Sequence, residues 1–176
     1  MNFCGHTFRR ILRNSPKMLI LFYDFENIEG DDPMDAMFSE AVKITSKCKT
    51  VWWIRRAESL RRPNCSNEMM RPHWLSRIYL HYGYDLLPAK IKKLCSETIF
   101  TGVPPFALFV ELHEYNSLLT EMECASLLAL LANISNWISS KRSIESDSFS
   151  VIVVLRAQPE FKKLSSLYTD YIADYI

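Results

Sequence analysis

Glycine is scarce, with four residues in 176, so the chain has no material for a glycine-rich phosphate loop of the kind that cradles nucleotides. No G-x-S-x-G elbow surrounds any serine, which removes the usual nucleophile of the α/β-hydrolases. The five cysteines, Cys4, Cys48, Cys65, Cys95 and Cys124, are odd in number and scattered, with no C-x-x-C pair. That excludes a zinc-knuckle spacing and a regular disulfide framework, and it points to a reducing compartment. An excess of either charge is also missing: 21 Lys and Arg face 20 Asp and Glu, so no global field attracts nucleic acid or an anionic membrane. The longest early apolar run, Met18 to Tyr23, stops at Asp24. It is too short for a signal core or a membrane span, although Arg9, Arg10, Arg13 and Lys17 precede it.

What is present is a core. Hydrophobic residues make up 48% of the chain, enough for one domain of ordinary size. We divide the sequence into a solvated basic arm, residues 1–17, and a single domain, residues 18–176. Met18 to Tyr23 predicts a strand buried on both faces. Pro33 suits the first turn of a helix carrying Met34, Met37, Phe38, Ala41, Val42 and Ile44 at three-to-four spacing up to Lys47. Thr50 to Ile54 is β-branched and aromatic and predicts a second strand. The basic stretch Arg55 to Pro63 predicts a surface loop.

A helix is expected from Pro72 through Trp74, Leu75, Ile78 and Tyr79, closed by a left-handed Gly83. A short one follows from Pro88 to Ser96. Phe106 to Leu112 predicts a third strand, with Pro104 and Pro105 at its start. Thr120 and Glu123 fit a capping box inside or at the start of a long helix with Leu127, Leu128, Leu130, Leu131, Ile134, Trp137 and Ile138. Ser139 to Ser148 predicts a loop, Phe149 to Leu155 a fourth strand, and Pro159 to Tyr171 a closing helix. About four strands alternate with helices, so the expected class is α/β (or α+β).

Chemistry is thinly marked. His6, His73, His81 and His113 are dispersed, and neither a catalytic set, a metal-ligand set nor a cofactor motif is assigned, so the chain is expected not to be an enzyme. Arg55, Arg56, Arg61 and Arg62 near Trp52, Trp53 and Trp74 mix basic and aromatic residues as single-strand binders do, and as solvated arginines beside core tryptophans do. Leu87, Ile91 and Leu94 fall on one helical face behind Pro88. Such a stripe fits a partner's groove, or this domain's own core.

Three resemblances add to this. Asp24-Phe25-Glu26-Asn27-Ile28, at the end of the first predicted strand, resembles the opening motif of NYN and PIN-like nucleases. In that family an acidic residue here helps to hold the divalent metal that activates water, and further carboxylates complete the site. Asp147 precedes the fourth strand rather than following one, and Glu111 and Glu114 do not match the family's surroundings; a polar turn built on Asp24 and Asn27 is the competing reading.

The stretch 87–105 resembles the minimal F-box of the P-zero silencing suppressors of poleroviruses: Leu87-Pro88, two residues, Ile91, twelve residues and Pro104. Cys95 and Gly102-Val103-Pro104-Pro105-Phe106 are similar too. This resemblance implies a viral accessory protein, in host cytoplasm or nucleus, that recruits the host Skp adaptor of an SCF ubiquitin ligase and directs Argonaute or associated silencing factors to degradation. Leu87, Pro88, Ile91 and Leu94 would be the adaptor-binding anchors, and Gly102 and Pro104 would shape the next turn. Thr101-Gly102-Val103-Pro104 with the following apolar run is similar to the NSs proteins of phleboviruses, which implies antagonism of host antiviral defence.

Overall fold

The computed structural model describes residues 17–23, 33–58, 66, 70–101, 103–114, 119–142, 150–169 and 171–175. The basic arm before Lys17, Asp24 to Ile28, Arg61, Arg62, Gly102 and Asp147 lie outside the described residues. Within them a six-stranded, all-parallel sheet has the order β3-β2-β4-β5-β1-β6. The strands are β1 (Met18–Tyr23), β2 (Val51–Arg55), β3 (Ile78–Tyr82), β4 (Ala107–Glu111), β5 (Val151–Arg156) and β6 (Ile172–Tyr175). The helices are α1 (Pro33–Ser46), α2 (Pro72–Leu75), α3 (Leu87–Thr101), α4 (Glu121–Ser140) and α5 (Pro159–Ser165). The chain is a single α/β domain in which strands alternate with helices.

The central strands β1, β4 and β5 are near-continuous apolar runs because parallel strands are covered on both faces. Odd-numbered residues of β1, β2 and β4, such as Leu19, Leu21, Val51, Trp53 and Phe109, pack with Met37, Ala41 and Ile44 of α1. On the opposite face Ile20, Phe22, Ile54, Val110 and Val153 join Leu87, Ile91 and Leu94 of α3, Leu127, Leu131 and Ile134 of α4, and Phe161 of α5. Thr120 accepts from the Glu123 amide while Glu123 accepts from the Thr120 amide, which is the capping box that the sequence predicts.

Two strands beyond the expected four complete the sheet. Ile78 to Tyr82 forms edge strand β3 where the sequence predicts helix, and the helix before it is the single turn α2. Residues 172–175 pair in parallel with Ile20 to Tyr23, so the closing helix ends at Ser165 and the chain returns to the sheet. Lys162 and Asp174 form an ion pair between α5 and β6. Helix α4 also runs to Ser140, beyond the predicted loop boundary.

Gly83 is not the left-handed residue. Its φ is −106°, and the positive φ of 46° falls on Tyr84. Glycine is required instead because a Cβ at Gly83 would lie 2.6 Å from Leu87 Cα. That close approach seats the start of α3 against the end of β3.

The apolar face of α3 points inward. Leu87 and Ile91 are 0% exposed and Leu94 is 5% exposed, so the stripe expected to fill a partner's groove fills this domain's core against α4. Pro88 and Pro104 are partly exposed. Removing buried methyl groups from such sites costs about 2–5 kcal/mol. Leu87→Ala and Ile91→Ala should each lower the unfolding free energy by about that much in denaturant titrations; unchanged midpoints would show that α3 is held by something other than this face.

Candidate functional site at the carboxyl ends of the strands

The chain leaves β2 towards the face covered by α1, where α2 also packs, and leaves β4 towards the face covered by α4. Adjacent parallel strands whose connections part to opposite faces open a crevice at their carboxyl ends, the usual ligand position in open α/β sheets. Arg55 is the last residue of β2 and Glu111 the last of β4. Register sets them side by side, because Ile54 pairs with Val110 one residue earlier.

Glu111 is a carboxylate at 1% exposure. Burying such a charge is expensive unless it is paired and hydrogen-bonded, and the neighbours supply both. Trp53 Nε1 donates to Glu111 Oε1 at 2.5 Å, and Arg55 Nη2 lies 3.2 Å from Oε2. Period-two alternation places Trp53, Arg55 and Glu111 on one face of the sheet. Trp53 is itself locked in the core, edge-on to Phe109.

Beyond Glu111 the chain turns, and the turn returns two more ligating side chains. Atoms of Glu111, His113 and Glu114 able to bind a cation lie within 4.8 Å of one another. Glu111 and His113 are buried and Glu114 is exposed, so the group opens to solvent on one side. The Tyr23 ring, at the end of β1, stands edge-on to His113 at 5.8 Å; Asp24 is the next residue in sequence. Burial, and secondarily the Arg55 charge, push His113 down to about 4. Its imidazole is therefore neutral at physiological pH, the form that ligates metals.

No metal-ligand set is expected from the sequence, where the histidines are dispersed; among the described residues the fold gathers one histidine and two carboxylates. A signal existed: Glu111 interrupts the otherwise apolar run Ala107 to Leu112, and His113 follows it. Of the arginine and tryptophan group, Trp53 and Arg55 meet at Glu111, and the other described members separate. Trp53 is core, Trp52 stands on the other face against His81, and Arg56 pairs with Asp85 at 3.2 Å. Arg71 covers the Trp74 ring at 4.7 Å. The core thiols are inert, with burial pushing Cys95 up to about 12 and Cys124 up to about 11. No helix among the described residues is long and apolar enough to cross a membrane.

The depressed His113 value fixes a sign. Between about 4 and the ordinary 6.5 the unfolded chain binds the proton and the folded chain does not, so stability is full above that window and is lost as pH falls through it. In chelator, wild type should lose up to about 1.4 kcal/mol per pH unit more than His113→Gln across the window; parallel curves would contradict this burial. Set against known protein families and curated proteins, the chain matches none.

Proposed function

We propose that the protein is a divalent-metal-dependent ribonuclease working at the carboxyl-end crevice between β2 and β4. The observation that carries this reading is the convergence of Glu111, His113 and Glu114 within 4.8 Å at that edge. The Asp24-Phe25-Glu26-Asn27 resemblance to NYN and PIN-like nucleases supports it from the end of β1 in sequence. Two carboxylates and a neutral imidazole suit manganese better than magnesium, which prefers all-oxygen shells. A bound cation would supply Lewis acidity and a more acidic water for attack on a phosphodiester.

The chain's own residues do the rest. Trp53 fixes one Glu111 oxygen and so the direction of the carboxylate, while the buried side of His113 excludes water from the inner half of the site. Glu114, being exposed, is the carboxylate that faces an incoming strand. The basic Arg55 ends β2 against Glu111, where phosphates would pass.

Pure wild type should cleave single-stranded RNA with manganese and lose that activity in chelator. Glu114→Gln, at an exposed position, should fold normally and lose activity by about a hundredfold or more. Wild type that is folded and inert towards RNA with manganese or magnesium eliminates the reading.

The silencing-suppressor role implied by the 87–105 resemblance is the second reading, favoured by the exposure of Tyr84 and Leu86, 53% and 72%, beside the Leu87-Pro88 pair. A Skp adaptor would have to engage this rim, or α3 would have to undock, because the motif's own anchors are interior. Leu86→Asp should then abolish Skp co-precipitation from plant cells while leaving RNA cleavage intact; Skp binding that persists would exclude the rim.

A further inference from the structure

Strand β2 sets one side chain against each oxygen of Glu111, Trp53 on Oε1 and Arg55 on Oε2, and these two are not equally free. Trp53 is 4% exposed and cannot withdraw its indole without opening the core under α1. Arg55 is different: its side chain is 15% exposed, it ends a strand, and it heads the segment leading away from the sheet. A cation taking Oε2 of Glu111 competes there with Arg55, whereas Oε1 is held by the fixed indole.

Displacement leaves a charge that cannot be neutralised in place, because guanidinium does not deprotonate in proteins. Even in its present position Arg55 is incompletely served, with Nε buried and lacking a hydrogen-bond partner among the described residues. The neutral His113 offers no anion, and the nearest basic neighbour in sequence, Arg56, is already committed to Asp85. A planar fork set free at a crevice mouth is suited to bidentate contact with phosphate oxygens.

We propose that Arg55 is a phosphate-binding residue exchanged between two anions: Glu111 holds it while the site lacks a cation, and cation binding hands it to a phosphate of the RNA strand. This rests on the metal-dependent reading above and adds an order to it, cation before strand. The cation thus makes the site competent twice, through the carboxylates it occupies and through the arginine it releases.

The test uses full-length protein, manganese and a fluorescent single-stranded RNA. In chelator, Arg55→Gln should bind the RNA as wild type does, because wild-type Arg55 is sequestered, whereas Glu111→Gln should bind about tenfold more tightly, since its arginine is free. With manganese, Arg55→Gln should raise KM for RNA about tenfold and leave kcat within about threefold. The slope of log affinity against log salt should shrink by about 0.7, one single-strand phosphate contact.

Arg55→Lys, which retains a cation for Glu111 but lacks the fork, should show the KM defect if Arg55→Gln proves unstable. Wild-type KM in both Arg55 variants, or no gain in chelator for a folded Glu111→Gln, overturns the exchange while leaving the metal site standing. Failure of wild type to bind manganese at all overturns the metal site itself.

Discussion

A charged carboxylate at the end of a central parallel strand, sealed from water, is the constraint around which this edge of the molecule is arranged. The sheet is covered on both faces by helices, so the last side chain of β4 that points towards α1 has nowhere to be solvated. It is hydrogen-bonded by an indole and paired with a guanidinium, both from the neighbouring strand. An arrangement of this kind contributes little net stability compared with an apolar replacement, yet removing one partner is costly. In the reading proposed above, its presence in so apolar a setting serves chemistry at the site rather than stability.

The sheet order supplies the place for that chemistry. Because β1 connects by α1 to β2 across two intervening strands, while β4 and β5 send their chains to the other face, the connections part between β2 and β4 and again between β1 and β5. Tyr23, Arg55 and Glu111 end three of these four strands. The edge contact between Tyr23 and His113 links the carboxyl ends of β1 and β4 beneath the surface. The histidine there is neutral because it is buried and lies near Arg55, and the neutral imidazole is the form that ligates a metal.

Much of the fold was legible because burial imposes itself on composition. The apolar runs of β1, β2, β4 and β5, the proline start of α1 and the Thr120–Glu123 cap of α4 all follow from local physics. Edge strands were not legible. Ile-Tyr-Leu-His-Tyr in β3 is half-exposed and shows no clean alternation, so Pro72 and Trp74 drew the reading towards helix. Asp174 interrupts β6, and what makes Ile172 to Tyr175 a strand is its pairing with β1, a contact from the far end of the chain. The apolar stripe of α3 was correctly seen as a stripe. Periodicity says that such a face is buried, not against whom, and here it is buried against α4.

The site was hidden for a related reason. Glu111, His113 and Glu114 are close in sequence, but they gain meaning only when β2 brings Trp53 and Arg55 alongside, which register decides and sequence spacing does not. The most direct measurement is a crystal soaked in manganese and read by anomalous scattering. The account predicts one peak among Glu111, His113 and Glu114 with the Arg55 guanidinium turned out of its ion pair. A folded protein whose soaked crystals show no peak there, with Arg55 still on Glu111, would contradict it.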